Sequence, residues 1–242
     1  MITKRGKSSF YFWLILNFVV FQSVIFAQQD RFESGLASKD RGHYATALRA
    51  WIPMAESGNA EAQNNVGYMY EEGLGVPQNY LLAMNWYRQA ADNELAQAQH
   101  NMGMLYHHGY GVAQNLGEAF RWFKMAAEQE LAESEYMLGL AYEKGEGTTL
   151  NYAEARRLFL SSARKNYTPA QMMYAFMLQA GEGGDSQPFS AYVWGKIAES
   201  NGSESAIDIT TISGIQLEDS DIVEAEEIIA QCLNASLSLC PE

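Results

Sequence analysis

Between residues 60 and 91 apolar positions return every three or four residues in two separate runs. Ala62, Val66, Met69 and Tyr70 share one face of a helix predicted over 60–72, and Ala83, Trp86, Tyr87 and Ala90 share one face of a second over 80–91. The segment between them breaks the pattern for chemical reasons. Gly73 ends the first helix, since the residue after a helix commonly takes a positive φ that glycine adopts most easily. Gly75 permits a second tight bend, and Asn79 precedes the second helix, where its side chain accepts a hydrogen bond from a free backbone N–H.

The same pattern returns when the sequence is shifted by 36 residues. Gly67, Gly103 and Gly139 align, with Ala175 fourth, and Tyr70, Tyr106 and Tyr142 align, with Leu178 fourth. Gly73, Gly109, Gly145 and Gly181 coincide, as do Gly75, Gly111, Gly147 and Gly183, and Ala83, Ala119, Ala155 and Ala191. Asn115 and Asn151 repeat the cap, and Glu118 and Glu154 stand three residues later, as in a capping box. One helix pair cannot bury its apolar face alone, but stacked pairs can, so the pattern predicts an all-α array. Gly67 and Ala83 mark where paired helices come closest, and Trp86 and Trp122 are expected as buried rings beside them rather than as binding groups.

The two ends depart from the period. Lys4, Arg5 and Lys7, then a largely apolar run from Leu14 to Phe26, then Ala27 before Gln28-Gln29-Asp30, form the layout of a secretory signal peptide cleaved after Ala27. The alternative is an uncleaved N-terminal membrane anchor, marginally short against the ~20 residues a bilayer needs. Either places the body outside the cytoplasm, periplasmic or secreted. Loss of the leader's three positive charges takes the formal charge from -13 to -16. So acidic a body disfavours nucleic acid and anionic lipid and favours a basic partner. Past Asn201 the sequence reads as a linker over 201–205, then as a terminal helix in which Ile222, Ala225, Ile229 and Cys232 share a face that covers the end of the array. Cys232 and Cys240 are the two cysteines, and an oxidising compartment lets them pair as a structural disulfide.

The run AQNNVGYMYEEGLGVPQNYLLAMNWYRQAA from Ala62 to Ala91 resembles a Sel1-like repeat, a relative of the tetratricopeptide repeat, and AQHNMGMLYHHGYGVAQNLGEAFRWFKMAA from Ala98 to Ala127 resembles it equally. A copy from Ser134 to Ala163 keeps the glycine, tyrosine and alanine positions, and a fourth, from Ala170, is degenerate, with Gln187-Pro188 in place of the Asn cap. The division that follows is a leader at 1–27, a divergent leading helix pair at 28–59 with Pro53 inside its second helix, four repeats at 60–200 and a capping segment at 201–242. The resemblance implies a right-handed α/α superhelix, or solenoid, acting as a scaffold or adaptor for a protein or peptide. It also leaves one enzymatic alternative, because some secreted, cysteine-rich members of the family are associated with penicillin binding and weak β-lactamase activity, and the Cys232 to Cys240 spacing resembles theirs.

Two rows on the first helix of each pair change identity from copy to copy and are the candidate partner contacts: Tyr68, Met104, Leu140 and Phe176, and Glu71, His107, Glu143 and Gln179. His100, His107 and His108 gather on one side of a helix but lack a further ligand at metal spacing, so they are read as solvent-facing. GLGV, GYGV and GEGT follow helices and lack the strand and Lys-Ser/Thr of phosphate loops. No catalytic residue, cofactor or metal is expected, and a monomer is favoured over an oligomer.

Overall fold

The computed structural model describes residues 26–234 and 237–242. The expected leader lies outside them apart from its last two positions. Every regular element among the described residues is helical, and the chain divides into two compact units, Met1–Asn93 and Glu94–Glu242.

The first unit holds α1 (26–40), α2 (Tyr44–Glu56), α3 (Ala60–Glu72) and α4 (Tyr80–Asp92). Its core gathers Leu48, Trp51, Met54, Val66 and Met69, with Trp51 fully buried. The Trp51 indole N–H donates to the Phe32 carbonyl at 3.2 Å, and the two rings meet with centroids 6.1 Å apart, which ties α1 to α2. Pro53 lies inside α2, as expected, and the helix continues to Glu56.

The second unit holds α5 (Ala96–His108), α6 (Leu116–Ala127), α7 (Ala132–Lys144), α8 (Tyr152–Arg164), α9 (Thr168–Ala180) and α10 (Pro188–Ser200), each packed against the next in chain order. There follow α11 (Ala206–Gly214), α12 (Asp219–Asn234) and a 3-10 turn at Leu237–Leu239. This succession of antiparallel pairs is a helical solenoid, because each pair buries the apolar stripe that its predecessor leaves open.

Close approach within a pair is set by one glycine and one ring. A Cβ on Gly67 would lie 2.7 Å from the Tyr87 ring, and one on Gly103 or Gly139 would lie 2.5 Å from Phe123 or Phe159. The buried rings are therefore Tyr87, Phe123 and Phe159, the first two one residue beyond the tryptophans picked out by the sequence period and the third one beyond Leu158. Trp86 and Trp122 are only half-buried, Trp86 packing against the edge of the first core. In the fourth copy the relation inverts: Ala175 and Gly195 replace glycine and ring, the Thr210 methyl of α11 fills the space over Gly195, and Trp194 is fully buried.

Asn59, Asn79, Asn115 and Asn151 each cap a helix through the side-chain oxygen, and Gly73, Gly109, Gly145 and Gly181 end helices in the left-handed region. The expected capping boxes do not close. Glu118 turns to Arg121 at 2.9 Å and Glu154 binds Arg157 through both oxygens, at 2.6 and 3.0 Å. The backbone N–H groups these glutamates would have taken already donate to the carbonyls of Tyr106 and Tyr142, at 2.9 and 2.8 Å. Gln187 makes the same bond to Leu178 at 2.8 Å, so the fourth pair keeps its turn without an Asn cap.

At the end of the second unit, α12 forms over the face predicted as a terminal helix, and the Asp221 carboxylate accepts from the Glu218 N–H at 3.1 Å. Ala225 and Cys232 are buried, with Ile222 and Ile229 packed beside them against the core. Cys232 and Cys240 are juxtaposed as a disulfide, Cα atoms 5.6 Å apart, within the usual span for a bridge. The helix α11 falls just beyond the predicted linker and carries no strong period of its own.

Candidate functional site

Helix A of each pair, the first in chain order, carries both candidate rows, α3 in the first unit and α5, α7 and α9 in the second. Tyr68 on α3 and Phe176 on α9 are 40% and 38% exposed, large side chains that neither core absorbs. Met104 on α5 and Leu140 on α7 are half-buried, the first against the Phe123 cluster and the second against the larger core around α9 and α10. One sequence position thus yields two presented aromatics and two partly packed aliphatics.

The second row is bound up with the helix pair itself. The Tyr87 hydroxyl donates to Glu71 Oε2 at 2.5 Å, and burial followed by the Glu71 charge pushes the phenol well above its ordinary range. In the next two copies the ring is Phe123 or Phe159, with no hydroxyl to give. His107 packs near Phe123, centroids 6.5 Å apart, with Nδ1 shielded and unpartnered and Nε2 4.0 Å from Glu146. Glu143 Oε2 is also shielded without a partner, as is Glu182 Oε2. Main-chain capping varies in parallel: Gln78, Gln114 and Ser186 donate to the carbonyls of Glu71, His107 and Gln179 at 2.8, 2.8 and 2.9 Å, whereas the equivalent Leu150 has no donor and is 54% exposed.

Four consecutive segments, 60–95, 96–131, 132–167 and 168–203, match the Sel1 repeat model, together more than half of the sequence. The chain belongs to the Sel1 repeat family. Among solved structures it resembles a Sel1 repeat protein from Oxalobacter formigenes at 28% identity, TM-score 0.70, covering 83% of this chain and 84% of that one. It also resembles c5321, a protective antigen of uropathogenic Escherichia coli strains displaying an SLR fold, at 26% identity and TM-score 0.69, covering 86% of this chain and half of that one. A Sel1 repeat protein from Klebsiella pneumoniae shares the fold at 17% identity and TM-score 0.50, covering 74% of this chain and 97% of that one. No curated protein matches. Sel1 repeat proteins mediate protein–protein interactions, and the scaffold is typically non-enzymatic.

In this Sel1 repeat chain the histidines differ from their expected solvent-facing placement. His100 is half-buried, its Nδ1 2.8 Å from the Ser134 hydroxyl and its ring 5.5 Å from Phe123. Burial lowers its pKa, opposed by Glu133, and burial lowers that of His107, reinforced by His108 and opposed by Glu146. Of these three only His108 is exposed, stacked on Tyr110 at 5.1 Å. The sequence period placed the three on one side but carried no signal for the depth at which each sits. Among the described residues no three His, Cys, Asp or Glu side chains converge as a metal site, and no helix is long and apolar enough to cross a membrane.

Glu143 gives a pH-dependent prediction. Its carboxyl is held above the ordinary range first by burial and then by Glu182, with Lys144 opposing. The folded state therefore keeps the proton more tightly than the unfolded chain does. The contribution to stability is complete below the unfolded pKa and is lost as pH rises through the folded one. Glu143→Gln is expected to melt above the parent at neutral pH and level with it near pH 4. A variant that gains nothing at neutral pH sinks this account.

Proposed function

We propose that this protein is an exported interaction scaffold whose helix A faces receive a protein or peptide partner. The observation carrying the reading is the exposure of Tyr68 and Phe176, equivalent large apolar residues left uncovered on α3 and α9. Exposed aromatic side chains recur at interface centres because they remove much apolar area from water with few rotors to order. Within the second unit Met104 and Leu140 belong to the same row as Phe176, with His107, Glu143 and Gln179 as the second row on those helices; in the first unit Glu71 stands on α3 with Tyr68. The formal charge of -13 favours a basic partner. Export rests on the charge, apolar run and small residue at the N-terminus, with the juxtaposed cysteines suited to an oxidising compartment. The β-lactamase alternative has only the cysteine spacing behind it and is not carried further.

Affinity capture from the native envelope fraction tests the scaffold reading, comparing the parent with Tyr68→Ser and Phe176→Ser. Both are surface changes expected to move stability by no more than about 0.5 kcal/mol. A directly bound partner should be retained by the parent and lost by about ten-fold or more with either variant. Undiminished capture by both overturns it. For export, N-terminal sequencing of the mature protein should begin at Gln28, and an uncleaved cytosolic chain counts against it.

A further inference from the structure

Continued past the fourth repeat, the 36-residue period sets Ala206, Thr210 and Ser213 of α11 against Ala170, Tyr174 and Met177 of α9. All six are buried, so α11 is seated as a fifth helix A. Its inner face rests on α9 and α10, where the Thr210 hydroxyl donates to Glu199 and the Thr210 methyl lies over Gly195.

The other face of α11 is where a second helix belongs. Thr211 takes the place of Gly67, Gly103, Gly139 and Ala175, the first three of which lie under the rings of Tyr87, Phe123 and Phe159 from the second helix of the pair. Ile207 takes the place of Gln99 and Gln171, which meet Gln129 and Asn201 at the end of that second helix, at 2.9 and 2.8 Å. In α11 both positions are exposed. The helix α12 does not supply the partner, since it packs on α10 and on the 3-10 turn. The result is an uncovered stripe in which Ile207, Ile212 and Ile215 are 53%, 47% and 81% exposed, and the Thr211 hydroxyl is satisfied within the helix by the Ile207 carbonyl at 2.8 Å. A helix apolar on both faces is normally buried on both, and a terminal repeat normally turns a polar face outward.

Charge selects the occupant. From residue 197 to residue 242 there are ten Asp and Glu and no Lys, Arg or His, so most of the formal charge of -13 gathers in this segment. Asp208 is exposed on the stripe itself, and exposed Glu204 and Glu218 flank it in sequence. A second copy would bring two such acidic ends together, like charge on like.

We infer that an amphipathic helix of a protein partner, basic along its flank, lies on α11 in the place of the missing second helix. Leucine-like side chains cover the isoleucines, and Lys or Arg beside them meets the acids. The inference rests on the scaffold reading but adds a surface to it, because Ile212 continues the row of Tyr68, Met104, Leu140 and Phe176 onto a helix that nothing among the described residues covers.

The test is a heteronuclear NMR titration of the full chain with a synthetic helix of about 15 residues, leucines at helical spacing and lysines elsewhere. One control has the same residues in scrambled order, and another has glutamate for lysine. The Leu/Lys helix should give saturable shifts at the amides of Ile207, Thr211 and Ile215, with both controls weaker by about ten-fold or more. Ile212→Ser combined with Ile215→Ser should weaken it to the same extent while melting with the parent, and Asp208→Lys should weaken it while strengthening the Leu/Glu control. Absence of saturable shifts on α11, equal binding of either control, or undiminished binding by the double serine variant overturns the assignment. So does a dimer in sedimentation equilibrium, or binding to phosphatidylcholine vesicles, that the double serine variant abolishes, since a second copy or a membrane would then be the occupant. The synthetic helix needs no native partner, so the two readings fail separately. Capture lost with Phe176→Ser but no shifts on α11 removes this contact alone, and shifts on α11 with capture undiminished by Tyr68→Ser and Phe176→Ser remove those two aromatics alone.

Discussion

Replacing Trp194 by alanine should lower stability by about 3 to 5 kcal/mol, the usual cost of deleting a fully buried tryptophan. The ring is 0% exposed, packs edge-on against Tyr174 with centroids 5.6 Å apart, and donates its indole N–H to the Pro241 carbonyl at 2.7 Å. Truncation opens a cavity between α9 and α10 and also leaves that carbonyl without its donor, so two penalties fall together. Trp194→Phe should recover most of the packing and keep a deficit of about 1 kcal/mol from the lost hydrogen bond. Trp122→Ala is the control: this half-buried ring occupies the equivalent position two repeats earlier and should cost less than half as much. Urea denaturation followed by far-UV circular dichroism measures all three. Equal losses for Trp194 and Trp122 would mean that the fourth repeat is not packed as described.

That contrast also shows where sequence reasoning reached its limit. The end of α3 at Gly73 and the start of α4 after Asn79 were legible because stop and cap are local chemistry: glycine after a helix and Asn before one act through the absence of a side chain or through their own. Which aromatic enters the core was not legible. Adjacent Trp86 and Tyr87 both satisfy a helical period, and only the opposing Gly67 on α3 decides between them. The candidate rows were found by their variation from copy to copy, but the depth of each member depends on its neighbour in the pair. Glu71 is bonded to Tyr87, while in the third repeat the equivalent ring is Phe159 and Glu143 Oε2 has no partner. A signal for the exceptional buried Glu135 did exist in the sequence: the 36-residue alignment sets Gln63, Gln99 and Gln171 against one glutamate. Its meaning needed the structure, because only the amide bonds to Ala55 and Ala163 show what Gln63 and Gln171 do there.

Gly147→Ala should be the second most damaging of these substitutions, at about 2 to 5 kcal/mol, and the size of the loss identifies what the second glycine of each loop does. Its φ is +72°, where any side chain meets strain of about 1 to 2 kcal/mol. An added Cβ would also overlap the Leu116 carbonyl and come within 3.0 Å of the Gly117 nitrogen, at the start of α6. These are backbone atoms that cannot rotate aside, and forced overpacking adds about 1 to 3 kcal/mol. Gly183 stands in the same relation to the Tyr152 carbonyl at the start of α8, so the contact is a repeated device. Gly42 isolates the conformational part: its φ is +75° but nothing lies within 4 Å of the added atom, and Gly42→Ala should therefore cost only about 1 to 2 kcal/mol. Chemical denaturation of the two variants decides the matter. A difference favouring Gly42→Ala by 1 kcal/mol or more shows that the loop of one repeat is seated on the second helix of the repeat before it. That seat fixes how far each pair advances on its predecessor within the second unit, and so where Met104, Leu140 and Phe176 are held for a partner. Equal losses would leave the second glycine as a turn residue alone, and the spacing of those side chains would have to come from the buried ring contacts.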